Sequence, residues 1–269
     1  MTRPADGGLR FARAADGPCS LLAIGGWIGP GEVWHDCFAH LPGWRCASYD
    51  HRGSGHSRHQ RAPIGLAEQV DDLLFMADAL LDGPCVLAAE SAGAAVALMA
   101  ALREPQRFTG LVLVAAAWRR ADARALAAMS AMLEADPAAF IAGFVEQCLP
   151  ETRDPDIRRW ANRVLSQASP AHARELLLCR GEHDLDGRLG SLALPALILH
   201  GSQDRIVPAS DSSALVGQLP NARLHVLEGF GHAPMITAPG RIAGLIDQAF
   251  PAEARRTDTH GQDTGTSPA

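Results

Sequence analysis

Ser91 lies in Cys85-Val86-Leu87-Ala88-Ala89-Glu90-Ser91-Ala92-Gly93-Ala94-Ala95-Val96, an apolar run that stops at Glu90-Ser91 and resumes as very small residues. The pattern predicts a buried strand, a sharp turn with the serine at its apex, then a helix packed closely on the sheet. Ala89 and Gly93, two before and two after the serine, fit a nucleophile elbow with alanine in the first small position. A serine attacks a carbonyl carbon only when a base takes its proton and an acid orients that base. The chain supplies both downstream. Asp204 lies in Ser202-Gln203-Asp204-Arg205-Ile206-Val207-Pro208 and His232 in Gly231-His232-Ala233-Pro234, each just after a strand pattern. Rivals exist for each role. Asp204 could merely cap the next helix; Asp211 and Asp122 are other acids near strand ends, and His200 and His225 fall inside strand patterns.

The elements that must position these residues read as strand–helix alternation. Apolar strands are expected at Leu9–Ala14, Ser20–Ile24, Trp44–Tyr49, 85–90 and Leu111–Ala116. Helices are expected over 66–82, where Leu66, Val70, Leu73, Leu74, Ala77, Leu80 and Leu81 recur at helical spacing, and over 92–104. This order implies a mostly parallel sheet with helices on both faces. From Trp118 to about Gly190 the pattern is helical only. Asp136-Pro137, Asp154-Pro155 and Ser169-Pro170 each pair a capping oxygen with a first-turn proline, and with Ala121–Glu134 they make about four helices. The sheet pattern then returns at Pro195–Gly201 and Arg223–Leu227, with helices at about 210–218 and from Pro239. The expected organisation is a core of 1–117 and 191–250, a helical cap of 118–190 over the carboxyl edge of the sheet, and a polar tail, 251–269, without fixed structure.

Composition narrows the chemistry. The 269 residues are 47% hydrophobic and carry a net charge of −6, which gives no electrostatic case for nucleic-acid binding. No apolar run approaches the ~18 residues of a membrane span, and the amino terminus lacks an apolar export segment, so a cytoplasmic location is expected. Every basic residue is arginine, which removes lysine Schiff-base chemistry and the phosphate-loop lysine. The six cysteines form no C-x-x-C pair and sit mostly in apolar runs, as buried free thiols would. His35, His40, His51, His56 and His59 cluster without a metal-ligand spacing, so no metal is expected.

With three further matched segments around the elbow, the body of the chain, about 9–250, resembles the α/β-hydrolase superfamily, specifically its small capped serine esterase- and lactonase-like members. Asp204-Arg205-Ile206-Val207-Pro208 is similar to that family's acid turn, Gly231-His232-Ala233-Pro234 to its histidine loop, and Asp50-His51-Arg52-Gly53-Ser54-Gly55 to its D-x-R-G-x-G loop. The resemblance implies a catalytic Ser91, Asp204 and His232, and an oxyanion hole made by the backbone N–H groups of Trp27 and Ala92. Two departures stand out. Gly25-Gly26 replaces the family's usual His-Gly before the first oxyanion residue, and Thr237 stands where an acidic residue often follows the histidine by five places. Asp50 and Arg52 are expected to brace their loop as an ion pair, and Trp118, Phe230 and Met235 to line the acyl pocket or to belong to the core.

The expected activity is cofactor-independent hydrolysis of a small carboxylic ester or lactone through an acyl-enzyme on Ser91. A serine nucleophile argues against the aspartate-dependent dehalogenases and epoxide hydrolases of the fold, and the lack of lysine against its plant-type hydroxynitrile lyases. A thioesterase, a C–C bond hydrolase or a perhydrolase would share the same triad, and a non-catalytic small-molecule receptor could share the scaffold. The partner is in each case a small molecule, and oligomeric state is left open. Glu90, a carboxylate beside the nucleophile, is not accounted for by any of these readings.

Overall fold

Eight strands form a single sheet in the computed structural model, which describes residues 3–4, 9–14, 17–59 and 63–251. They are β1 (Arg3–Pro4), β2 (Arg10–Ala14), β3 (Cys19–Ile24), β4 (Trp44–Asp50), β5 (Cys85–Glu90), β6 (Phe108–Val114), β7 (Ala196–Gly201) and β8 (Ala222–Leu227). The order is β1-β2-β4-β3-β5-β6-β7-β8. The first two strands pair antiparallel at one edge, and the remaining six run parallel. Every residue of β5 and β7 is buried, which is why these strands read as unbroken apolar runs rather than as alternating patterns.

Successive side chains of a strand face opposite sides of the sheet, and the core divides accordingly. Val86 and Ala88 of β5 join one apolar cluster, with Leu197 and Leu199 of β7. Cys85, Leu87 and Ala89 join a second, with Ile198. Helices α1 (His35–Ala39) and α10 (Pro239–Ala249) cover the first face through Cys37, Phe38, Ile242 and Ile246. Helices α2 (Leu66–Leu80) and α3 (Gly93–Arg103) cover the second, together with α8 (Ala209–Gln218). The short α9 (Pro234–Thr237) precedes α10.

Between β6 and β7 the chain makes α4 (Ala123–Ala135), α5 (Pro137–Cys148), α6 (Pro155–Leu165) and α7 (Pro170–Leu178). Their starts follow the capping logic of the sequence. Asp122, Asp136, Asp154 and Ser169 each accept a backbone N–H of the first turn that would otherwise lack a partner. No helix among the described residues is long and apolar enough to cross a membrane. All six cysteines are buried and free. Of the tail 251–269 only Pro251 is described, so that expectation lies outside the described residues.

One loop differs from expectation. Asp50 and Arg52 do not pair with each other. Asp50 accepts the backbone N–H groups of Gly31 and His56, at 2.9 and 2.8 Å. Arg52 instead makes a two-pronged contact with Asp72 of α2, Nε–Oδ2 2.5 Å and Nη2–Oδ1 2.7 Å. The fork of a guanidinium matches a carboxylate held on a rigid helix, while the Asp50 oxygens are already taken by amides of its own loop region.

Candidate active site

The chain changes hand at the end of β5. Ser91 has φ of 50°, the left-handed region that a non-glycine residue enters only at a cost of about 1–2 kcal/mol. Neighbouring backbone holds it there: Ser91 N–H donates to Val114 O at 2.9 Å, and Ser91 O accepts from Ala117 N–H at 3.0 Å. The turn also brings α3 so close to the β3 loop that a Cβ on Gly93 would overlap the Gly25 carbonyl oxygen. Glycine is therefore required at 93, as the elbow pattern implies. Strand order reverses at this place, with β4 on one side of β3 and β5 on the other. Ligands of open α/β sheets bind in the crevice beyond the carboxyl ends of such strands.

Asp204 and His232 arrive from the loops after β7 and β8. Asp204 is fixed by its own turn, its Oδ1 accepting from Ile206 and Val207 N–H at 2.7 and 3.0 Å. Its Oδ2 lies 2.8 Å from His232 Nδ1. Burial opposes charge on Asp204, but the hydrogen bond and charge of His232 and the two amides prevail and hold its carboxyl below the usual range. The rivals are otherwise engaged. His200 Nδ1 bonds Ser212 Oγ at 2.8 Å and burial keeps its pKa low. Asp211 turns toward Arg119, 3.9 Å away, while its backbone carbonyl accepts from Trp118.

The imidazole of His232 is buried, with its other nitrogen facing Glu90: Nε2 to Oε1 is 3.2 Å. This is an ion-pair approach and not an aligned hydrogen bond, since Nε2 has no hydrogen-bond partner, Ser91 Oγ included. Burial disfavours the imidazolium, yet the hydrogen bond to Asp204, the contact with Glu90 and both negative charges outweigh it and raise the His232 pKa to about 9.

Ser91, His232 and Glu90 open onto a cavity whose remaining wall is mostly apolar. Trp27 comes from the β3 loop, Phe144, Val145 and Cys148 from α5, Trp160, Ala161, Val164 and Leu165 from α6, and Met235 from α9. Of the three residues named from the sequence, Met235 stands in the wall, and Trp118 and Phe230 do not. Trp118 is fully buried in the core beside α8, its indole N–H donating to Asp211 O at 2.9 Å. Phe230 packs under Arg241, whose guanidinium carbon is 5.3 Å from the ring centre.

The N–H groups of Trp27 and Ala92 face no backbone or side-chain acceptor among the described residues. Two residues outside the sequence expectation support this region. His51 Nε2 lies 2.9 Å from Gly26 O. Gly26 O and Trp27 N–H belong to one trans peptide and point opposite ways, so His51 fixes the direction of the Trp27 amide. Glu151, after α5, accepts from Gly231 N–H at 3.1 Å and from Thr237 Oγ at 2.6 Å. It brings from the insert the carboxylate missing at position 237.

A sharp turn at Ser91, a buried Asp–His pair and two free amides thus meet around an apolar cavity at the carboxyl end of a parallel sheet. Residues 20–239 match the model of the alpha/beta hydrolase fold family, and the chain belongs to that family. It is 31% identical over 238 residues to a putative carbamate hydrolase RutD of Variovorax paradoxus, covering 83% of this chain and 88% of the relative. It is 32% identical over 246 residues to a pimeloyl-[acyl-carrier protein] methyl ester esterase of Vibrio campbellii, covering 85% and 93%. Among solved structures, an esterase from Exiguobacterium antarcticum superposes with a TM-score of 0.84 over 93% of this chain and 98% of its own, at 19% identity, a likeness of fold.

Proposed function

We propose that the protein is a cofactor-independent serine hydrolase that cleaves a small carboxylic ester or lactone. The observation that carries this reading is the strained Ser91 at the mouth of an apolar cavity with the Asp204–His232 pair, 2.8 Å apart, beside it. Neutral His232 takes the Ser91 proton as Oγ bonds to the carbonyl carbon, and the carbonyl π pair moves onto oxygen. That oxyanion lies between the Trp27 and Ala92 amides, each donor worth roughly 10²–10³ in rate. Collapse expels the alcohol, which takes the proton from His232 Nε2, and water repeats the sequence to free the acid. Asp204 holds the Nδ1–H tautomer and offsets the imidazolium charge. None of these steps needs a cofactor.

The insert of 118–190 serves in this reading as a cap, since α5 and α6 supply much of the cavity wall. The wall favours an apolar acyl or alkyl group. Relatives named as a methyl ester esterase and a putative carbamate hydrolase support carbonyl hydrolysis. Above pH 9, where His232 is neutral, a fluorophosphonate is expected to label Ser91 stoichiometrically. A panel of p-nitrophenyl esters, lactones, acyl thioesters and carbamates then ranks substrates, and Ser91→Ala should lower the rate at least ~10³-fold. Folded protein without label, or activity that survives Ser91→Ala, would refute the reading and leave a non-catalytic receptor as the alternative.

A further inference from the structure

We propose that Glu90 is a positioning residue that holds the His232 ring with Nε2 against a carboxylate instead of Ser91 Oγ, so that the resting site is latent until the contact is released. The proposal rests on the hydrolase reading above. Glu90 is the last residue of β5, only 8% exposed, and its Oε1 is 3.2 Å from His232 Nε2. Its Oε2 lies against Gly26, where a Cβ would overlap it. Glycine at 26 is what leaves room for this carboxylate. A buried carboxylate requires a partner, and among the described residues no arginine pairs with Glu90.

The groups facing His232 come from several elements. Asp204 and His200 stand on the β7 side, Glu90 and Ser91 on the β5 side, and Cys148 and Glu151 at the end of α5. His200 and Cys148 are held neutral by burial at pH 7. The imidazole is thus flanked by two carboxylates, one at each nitrogen. A protonated ring satisfies both. Loss of the Nε2 proton leaves a lone pair against Glu90 Oε1, and the ring is then free to accept from Ser91. The same arrangement stabilises the imidazolium that forms during acylation, so Glu90 lowers the rate at neutral pH and raises the plateau at high pH. The raised pKa of His232 agrees with this balance.

The test compares wild type with Glu90→Gln, near-identical in shape, using p-nitrophenyl acetate. Wild-type kcat/KM should climb about tenfold per pH unit toward a midpoint near 9. In Glu90→Gln the midpoint should fall by a unit or more, making the variant roughly tenfold faster at pH 7, with a plateau no higher than wild type. In parallel, ¹⁵N NMR of histidine-labelled protein, assigned with His232→Gln, follows the His232 ring whether or not the protein turns over substrate. Midpoints of wild type and Glu90→Gln that coincide with each other, in rate and in NMR, would overturn the proposal. Were Glu90→Gln not to fold, the wild-type titration decides: a midpoint near 9 supports the two-carboxylate ring, and one near the ordinary histidine value overturns it. Absence of fluorophosphonate label in both proteins would sink the hydrolase reading alone, with the NMR titration still deciding Glu90.

Discussion

His51 does not itself line the cavity beside Ser91 and reaches it through the Gly26–Trp27 peptide plane. With its ring gone, the Gly26–Trp27 peptide can rotate and take the Trp27 amide away from the oxyanion. His51→Ala is expected to lower kcat roughly tenfold or more, up to the ~10²–10³ of a lost donor, with KM changed less than about twofold. Steady-state kinetics on one ester decide, and a change in KM alone would refute the role. The turn at Ser91 and the loops that bring Asp204 to His232 could be read from residue type and order because they are local patterns. His51 and Glu151 could not, because their partners lie 25 and 80 residues away. Trp118 and Phe230 show the same limit. Their position near strand ends was legible, but the direction of each ring depends on α8 and Arg241.

Among the elements, helices were most legible where a side chain closes their first turn. Asp136 is exposed, and its Oδ1 accepts from Ala139 N–H at 2.9 Å at the start of α5. Asp136→Ala should cost about 1 kcal/mol and lower Tm by about 2–4 °C; a thermal melt with unchanged Tm would show that the start of α5 does not limit unfolding. Less legible was how the insert joins the sheet domain. The Trp27 indole N–H donates to Ala173 O of α7 at 2.7 Å, and the ring meets Phe140 and Phe144 of α5 edge to face at 5.8 and 5.3 Å. Trp160 of α6 donates to Glu32 Oε1 at 2.9 Å, and His232 N–H to Cys148 O at 2.9 Å. Three helices of the insert thus hold the segments that carry Trp27, Glu32 and His232. Periodicity gives the apolar face of each helix, not the residue it meets.

For the whole molecule, the same charges set both reactivity and stability. His232 has a folded pKa of about 9, above the ordinary 6.5, so its contribution to stability is fully present below pH 6.5 and is lost as pH rises through 9. Asp204 is shifted down, so its contribution is present above the ordinary carboxylate range and is lost on acidification below it. Unfolding free energy from urea titrations is therefore expected to decline between pH 6.5 and 9. His232→Gln should lack that decline, and an equal decline in both proteins would place its origin elsewhere. Five buried thiols do not interfere in this range, since burial pushes Cys37, Cys46, Cys85 and Cys179 up to about 12 and Cys148 well above its ordinary value. The chain has five tryptophans. Trp34, Trp44 and Trp118 are sealed in the core, while Trp27 and Trp160 stand in the cavity wall, on the loop after β3 and on α6. Cavity occupancy is therefore written into the intrinsic emission of the protein: a molecule seated there changes the surroundings of two fluorophores and leaves three as an internal reference.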